Sequence, residues 1–446
     1  MKQLTFFLLV MLCVCAKSVP AAAQYSFSLQ QSIDYTLRHH PSLQVYDNSV
    51  SIAKAQATQS LSTYLPQISG SATMLDNLKL QTTVLPAGIL GPEPVPVQFG
   101  TKYSTIAAVD VSQTIFDASK IVGIKASKPY AELTLLQQEQ NKETLIYNTA
   151  FAYFQVLIYG EQLRILEANR AKYAQMVELL QYQYQKGTVL EKDVDRVRVS
   201  LNSTQYQIQD AVTRQRNALS ALKNAMAMPL EEQISIADTI NYESFATALT
   251  ADSLSLAEMV EVKLSQQAIG LQRLNLKTKQ ATYLPTLNAV GKFGTQALTN
   301  EFSNALSGFR GFSYIGLSLN VPIFSGLRRK GQVSEEKWKL KNEELNFNIN
   351  KQNLKLRFDS AKTAVVTAYS TYQSSRDNML LAQKLLGVTD YQYQRGVASL
   401  TDYLNDDTAY KTAQGNYINS LYNLMISQLN YQKSLGSLPR YIDNIK

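Results

Sequence analysis

The side chains that could do chemistry in this chain are few and are not arranged for catalysis. The only histidines are the adjacent pair His39 and His40, and the only cysteines are Cys13 and Cys15. No further ligands accompany either pair, and a solvated helix face before Pro41 accounts for the histidines. The sequence contains no glycine-rich phosphate loop, nucleophile elbow or HExxH motif. It therefore predicts no enzyme, no cofactor and no metal site.

Carboxylates are the remaining candidates, and they follow two copies of one short motif. Tyr-Gln-Tyr-Gln-Lys-Gly ends at Gly187, and Tyr-Gln-Tyr-Gln-Arg-Gly ends at Gly396. Six residues after these glycines stand Asp193 and Asp402. Glycine in this position is typical of a left-handed helix C-cap, so each motif predicts a tight turn between two helices.

These carboxylates have two compatible interpretations. Thr188-x-x-Glu191 and Ser399-x-x-Asp402 both fit capping boxes, in which the acidic residue bonds the start of its own helix. In a symmetric assembly, a carboxylate near the axis would also repeat as a ring of like charges. Such a ring in a narrow wet passage attracts cations and resists anions.

Two further motif pairs show the same duplication. Tyr64-Leu65-Pro66 recurs as Tyr283-Leu284-Pro285, and Ile115-Phe116 recurs as Ile323-Phe324. Together with the Tyr-Gln-Tyr-Gln motifs, the offsets are 219, 208 and 209 residues. The shared order argues for two copies of one architectural unit. Each copy is predicted to run as helix, strand hairpin, long helix, tight turn and long helix.

Between the Tyr-Leu-Pro and Ile-Phe motifs the apolar pattern changes from helical to alternating. The fourth predicted strand shows this most clearly, with apolar residues at Ile315, Leu317, Leu319, Val321 and Ile323. Strands of roughly 10–13 residues with one apolar and one polar face fit membrane-spanning β-strands. The hairpin tips, about 85–96 and 299–311, are predicted to be irregular exposed loops.

Four strands cannot close a barrel, and an open sheet edge is not tolerated in hydrocarbon. The membrane interpretation therefore requires oligomerisation, and the residues alone leave two chains with eight strands or three chains with twelve. A soluble periplasmic coiled-coil scaffold with short partner-binding hairpins is the alternative.

Long helices occupy the rest of each copy. Residues 119–186 contain little glycine or proline, and at about 1.5 Å per residue they would reach roughly 100 Å. After the first turn an a/d seam runs from Val194 to Ala225, and after the second turn the seam includes Tyr403, Tyr417 and Tyr431. Seams of this kind predict coiled-coil packing between helices.

The N-terminus reads as a targeting segment. Lys2, the apolar run 4–16 and the small residues 21–23 predict a signal peptide cleaved before Gln24, which would remove both cysteines. Lipidation of Cys15 is the disfavoured alternative. The net charge of +8 is modest, and no stretch combines basic and aromatic residues as nucleic-acid binders do.

Taken together, these motifs resemble the TolC family of outer-membrane efflux and secretion channels. The resemblance runs from about Phe27 to Ser434 and is carried by the duplicated Tyr-Leu-Pro, Ile-Phe and Tyr-x-x-Gly motifs in order. It implies a mainly α fold with membrane β: a trimeric 12-stranded β-barrel with four strands per chain, continued by a long coiled-coil α-helical barrel. The family's channels are passive. An inner-membrane transporter supplies the energy, and a periplasmic adaptor links this transporter to the channel.

The resemblance also assigns roles to residues at the two turns. It implies a pore constriction at Asp402, Asn405 and Asp406, where Asn405 replaces an acidic residue and Asp406 and Asp407 compensate. Asp193 and Tyr393 match a pair that closes the aperture, whereas Ala398 replaces an arginine of that closing network. The implied adaptor-docking tips are Gly187, Thr188, Val189, Leu190, Gly396, Val397, Ala398 and Ser399.

The implied partners are two further copies of the chain, an adaptor (membrane fusion) protein, an inner-membrane transporter and outer-membrane lipid, without nucleic acid. The implied location is the outer membrane, with the helical tunnel in the periplasm. The predicted domains follow the repeats. They are a signal peptide (1–23), repeat 1 (24–228, hairpin about 66–116), a linker (229–252), repeat 2 (253–436, hairpin about 285–324) and a tail (437–446).

Overall fold

Two very long helical hairpins and one four-stranded sheet make up most of the structure. The computed structural model describes residues 25–89, 91–237 and 254–444. The predicted signal peptide, both cysteines and most of the predicted linker lie outside these ranges. The helices are α1 (Leu29–His39), α2 (Pro41–Ser62), α3 (Ala118–Gln185), α4 (Glu191–Met226), α5 (Val260–Ala281), α6 (Arg328–Gln394), α7 (Leu400–Leu435) and α8 (Leu438–Asn444).

The long helices lie where the sequence predicts them. α3 has 68 residues with Pro129 inside it, and α6 has 67. On α4 the predicted seam is buried at Val194, Val197, Thr204, Ile208, Ala211, Ala218 and Leu222. None of the described helices is both long and apolar enough to cross a bilayer.

Within the described ranges, eight strands form three sheets. The strands are β1 (Tyr25–Phe27), β2 (Gln67–Asp76), β3 (Thr82–Leu85), β4 (Val95–Gln98), β5 (Tyr103–Phe116), β6 (Ile234–Ile236), β7 (Thr286–Thr299) and β8 (Arg310–Asn320). The largest sheet is antiparallel with the order β2-β5-β7-β8, so its central pair joins the two halves of the chain. A short parallel pair, β1 with β6, ties the start of the described chain to the segment after α4.

The two faces of the large sheet differ in polarity as predicted. On one face the side chains of Ile68, Phe293, Ile315 and Leu317 are each at least 70% exposed. On the other face Lys292 on β7 pairs with Asp110 on β5 at 3.2 Å, and these residues are direct cross-strand neighbours. An exposed apolar face opposite a polar one is the pattern of a sheet with lipid on one side and water on the other.

Two details of the predicted hairpins are wrong. The fourth strand ends at Asn320 and does not reach Phe324, because Pro322 has no N–H to continue a ladder. The first hairpin tip is not irregular throughout, since β3 and β4 pair from Thr82 with Gln98 to Leu85 with Val95. The second tip is irregular apart from one 3₁₀ turn at Phe302–Asn304.

The chain divides into two compact units, and each draws on both halves of the sequence. One contains the described parts of residues 1–46, 137–263 and 349–446, and the other contains residues 47–136 and 264–348. The core of the first unit includes Tyr153, Phe154, Leu222, Leu421 and Leu424, all essentially inaccessible to solvent. The second unit contains the large sheet together with α2, α5 and parts of α3 and α6.

Candidate constriction and docking tip

The two inter-helix turns have the same geometry. Gly187 and Gly396 adopt φ of 74° and 73°, a region in which side chains with a Cβ are strained. The amide of Thr188 donates to the carbonyl of Gln183 at 3.0 Å, and that of Val397 donates to Gln392 at 2.9 Å. Both turns are therefore Schellman-type C-caps, which the duplicated motif predicts.

The residues of the two turns divide into an exposed set and a packed set. Leu190 and Val397 are 61% and 76% exposed, so each turn presents one large aliphatic side chain to solvent. Thr188 and Ser399 are exposed, and Ala398 is half-buried. Val189 instead packs against a cluster built from Tyr173, Leu180, Val194, Val197, Leu386, Leu400 and Tyr403.

Asp402 forms the predicted capping box at the start of α7. The amide of Ser399 donates to the Asp402 Oδ2 at 3.1 Å, and the Asp402 amide donates to the Ser399 Oγ at 3.1 Å. The Ser399 hydroxyl also donates to Oδ2 at 2.6 Å. These hydrogen bonds to the charged form lower the pKa of Asp402. The side chain stays exposed, so the capping role leaves its charge in contact with solvent.

The matching box at the first turn is absent, contrary to prediction. α4 begins after Leu190, which has no side-chain cap, and the Thr188 hydroxyl instead donates to the Gln183 carbonyl at 2.9 Å. Thr188 lies two residues before the N-cap position at Leu190, and its hydroxyl bonds to the end of α3 instead of the start of α4. The two turns share their backbone geometry but differ in this side-chain role.

Asn405 and Asp406 differ in accessibility. Asn405 is exposed, whereas Asp406 is half-buried and accepts a hydrogen bond from the Thr389 hydroxyl on α6. Asp406 is therefore oriented by the neighbouring helix. Asp402 and Asn405 present their side chains to solvent without such a restraint from α6.

Asp193 and Tyr393 lie near each other but are not hydrogen bonded within the described chain. Burial, followed by the charge of Asp193, raises the pKa of Tyr393. Asp193 pairs with Arg196 at 3.7 Å, and Arg196 donates to the Thr401 hydroxyl at 3.1 Å. Asp193 is thus linked to the start of α7 through this arginine.

Asp407 lies in a buried charge network that the sequence analysis missed. Its side chain is 3% exposed and accepts from Lys172 at 3.3 Å and from the Tyr173 hydroxyl, both on α3. Lys411, one turn further along α7, lies 3.6 Å from the same carboxylate. The expectation that Asp407 compensates for Asn405 is therefore wrong, because its charge is enclosed between α3 and α7.

Two tyrosine rings complete this network and extend it toward the aperture residues. Lys411 stands 3.7 Å above the ring of Tyr173, and Lys172 lies 5.1 Å from the ring of Tyr403. The Tyr403 ring is in turn 5.6 Å from that of Tyr393. Burial lowers the pKa of Lys411 and raises that of Tyr173. The recurrence of Tyr403, Asp407 and Lys411 every four residues was the available signal, since it places them on one helix face.

The histidines play local roles. His40 caps the end of α1, and its Nδ1 is 2.8 Å from the Ser42 hydroxyl and accepts from the Ser42 amide. His39 stacks on Tyr35 with ring centroids 4.2 Å apart. Within the ranges that the structure describes, no group of three or more potential metal-ligating side chains comes together.

A four-stranded sheet with one exposed apolar face and one polar face, in a chain that also forms two long helical hairpins, is typical of outer-membrane conduits. The model of the family described as outer membrane efflux protein matches residues 32–228 and 253–437. The chain belongs to this family. It is therefore an outer-membrane efflux or secretion duct with its helical tunnel in the periplasm, and it is not an enzyme.

Individual relatives have low sequence identity to this chain but align with most of its length. The outer membrane protein TolC of Escherichia coli is 24% identical over 353 residues, which cover 75% of this chain and 70% of TolC. The alkaline protease secretion protein AprF of Pseudomonas aeruginosa is 21% identical over 337 residues, covering 72% and 67%. The crystal structure of the CmeC outer membrane channel of Campylobacter jejuni superposes with a TM-score of 0.74 at 19% identity, covering 92% of this chain and 86% of CmeC.

Proposed function

We propose that three copies of this chain form a passive duct, with a twelve-stranded barrel continued by a coiled-coil helical barrel. The observation that carries the proposal is the four-stranded sheet, whose outer strands β2 and β8 each pair on one side only within the described chain. Unpaired backbone groups at both edges of a lipid-facing sheet must be satisfied by another copy. The family resemblance supports three copies over two.

The sheet edges supply the test of this assembly. Ser71 on β2 and Ser318 on β8 lie on opposite edge strands of the sheet, so in a Ser71→Cys, Ser318→Cys variant whose mature form has no other cysteine a disulfide is expected only between neighbouring chains. We expect covalent trimers in mild detergent and ion conductance in planar bilayers. A sample that stays a lone protomer without conductance would contradict the proposal, and covalent dimers alone would favour the eight-stranded alternative. The family assignment favours a conduit over the soluble scaffold.

The proposed constriction consists of Asp402, Asn405 and Asp406. Asp402 contributes most of the ring of charge, because it is exposed and the Ser399 hydrogen bonds keep it ionised. Asn405 removes one carboxylate per chain from the ring, and Asp406 is restrained by Thr389. Asp193 and Tyr393 are proposed to form their closing contact between neighbouring chains, because within one chain Asp193 is held by Arg196.

Asp402 can be tested without disturbing the helix cap. Glutamate and glutamine both serve at the third position of a capping box, so Asp402→Gln removes the charge and Asp402→Glu keeps it. We expect single-channel cation preference to fall in Asp402→Gln and to persist in Asp402→Glu. If the two variants show the same preference as the parent channel, Asp402 does not line the constriction.

The proposed docking surface for a periplasmic adaptor is the pair of turns. Its centre is Leu190 and Val397, exposed aliphatic side chains beside the exposed Thr188 and Ser399. We expect Leu190→Asp and Val397→Asp to reduce co-purification of the adaptor that in turn contacts an inner-membrane transporter. Val199→Asp is the matched control, since Val199 is 68% exposed on α4 but lies away from the turns. Equal loss of adaptor in the control would contradict the assignment.

A further inference from the structure

The loop between β7 and β8 folds back onto one face of the large sheet. The Thr105 hydroxyl on β5 donates to the carbonyl of Ala305 at 2.7 Å, and Ala305 is almost fully buried. The ring of Phe302 packs edge-on against Tyr103, with centroids 5.5 Å apart. Tyr103 and Thr105 share a face with Val109 and Val111 because they alternate along β5. The loop therefore covers the end of the apolar, lipid-facing side of the sheet.

Several polar groups of this loop are bonded within the protein. The amides of Asn304, Ala305 and Ser307 donate to the carbonyls three residues earlier at 3.0–3.2 Å. The Asn304 side chain donates to the carboxylate of Glu301 at 2.9 Å, and the Lys102 amide donates to the side chain of Asn300 at 3.0 Å. Irregular backbone is tolerated at membrane depth only when its hydrogen bonds are satisfied internally. The loop groups named above meet that requirement.

Two large apolar side chains on the loop nevertheless remain mostly exposed. Phe302 and Leu306 are each 70% exposed. The loop packs on β5, which has a paired strand on each side, so copies joined along β2 and β8 would not cover it. Exposed aromatic and aliphatic side chains that continue an apolar face are typical of the membrane interface.

We propose that residues 300–309 form an interfacial anchor, in which Phe302 and Leu306 insert among the lipid acyl chains just below the headgroups. The occupant of this surface is lipid of the outer leaflet, since the loop continues the apolar face of the sheet. Lys102, with its ammonium 5.1 Å from the Tyr103 ring, adds a positive charge that suits a phosphate-bearing headgroup. This inference rests on the proposed barrel and adds a lipid contact outside its strands.

Tryptophan fluorescence can test the anchor, because the chain has a single tryptophan, Trp338. In a Trp338→Phe background, the variants Phe302→Trp and Leu306→Trp report on the loop. Ile315→Trp reports on the middle of β8, where Ile315 is 91% exposed on the lipid-facing side. Ile89→Trp is the control, since Ile89 is 62% exposed in the other hairpin tip. Each full-length variant is reconstituted in phosphatidylcholine–phosphatidylglycerol vesicles whose acyl chains carry bromine near the headgroup or near the chain end.

We expect the emission of Phe302→Trp and Leu306→Trp to shift to the blue on reconstitution and to be quenched most by bromine near the headgroup. Ile315→Trp should be quenched most by the deeper bromine, and Ile89→Trp should stay unquenched. Unquenched loop variants with a quenched Ile315→Trp would overturn the anchor alone. An unquenched Ile315→Trp would overturn the barrel, and equal quenching of Ile89→Trp and Phe302→Trp would show that the effect is not specific to this loop.

Discussion

The buried network around Asp407 makes the sharpest prediction about the helical tip. Asp407→Asn keeps the shape of the side chain but removes the negative charge that Lys172, Lys411 and Tyr173 share. Breaking a buried ion pair by removing one partner costs about 3–5 kcal/mol, because the other charges remain without compensation. Lys172 and Lys411 are 40% and 26% exposed, so water screens part of this cost. We therefore expect Asp407→Asn to destabilise the folded helical tip by about 3 kcal/mol, the lower end of the range.

Hydrogen–deuterium exchange measures the free energy of local opening, so the whole assembly does not have to unfold. If opening of the first turns of α7 and of α3 near residue 172 becomes easier by about 3 kcal/mol, their amides exchange roughly a hundredfold faster. Asp406→Asn is the matched control, since Asp406 has a single hydroxyl partner on Thr389. The amide oxygen that Asp406→Asn introduces can still accept from this hydroxyl, so the substitution is expected to cost at most about 1 kcal/mol. Exchange in Asp407→Asn that is no faster than in Asp406→Asn would refute the reasoning.

Three further predictions concern the tip and the helical wall. Asn405→Asp should increase the cation preference of single channels, because it adds one exposed carboxylate per chain one turn from Asp402; an unchanged preference would place it outside the passage. Gly396→Ala should lower the thermal midpoint, with a cost of about 1 kcal/mol for a Cβ at positive φ, whereas Gly415→Ala, in the middle of α7 with open space at its Cβ, should not. Burial, followed by repulsion from Glu261 and Glu139, raises the pKa of Glu143 to about 7, so the folded state holds a proton that the unfolded chain releases near its ordinary value of 4.5. Stability should therefore fall as the pH rises from about 5 to about 8, and a Glu143→Gln variant that kept this dependence in thermal denaturation would contradict the assignment.

The sequence predicted the elements that local patterns specify. The glycine of each Tyr-x-x-Gly motif fixes a left-handed cap through its own φ, and alternation fixes the faces of β5 and β8 residue by residue. These features depend on neighbours within a few positions, so the duplication could locate them. The capping box at Asp402 belongs to the same group, because its partner Ser399 is three residues away.

The features that the sequence did not predict depend on a partner far away in the chain or on a competing interaction nearby. Asp407 is adjacent to Asp406 in the chain, but only the approach of α3, 234 residues earlier at Tyr173, decides that one carboxylate is buried and the other is not. Thr188 had a suitable acidic partner and still bonded backward to Gln183. Pro322 was visible in the sequence, yet the strong alternation around it concealed the end of β8.

The pairing of β5 with β7 has a consequence for how this protein is made. The two strands come from opposite halves of the chain, and Tyr103 finds its partner at Thr299, 196 residues later. Until the second half has been synthesised, one edge of β5 remains unpaired and the apolar face of the first hairpin remains exposed. Contacts over such long separations form slowly, and open edges are prone to pair with the wrong chain. A fragment that stops before residue 286 lacks both β7 and β8, so it cannot form the four-stranded sheet of one chain.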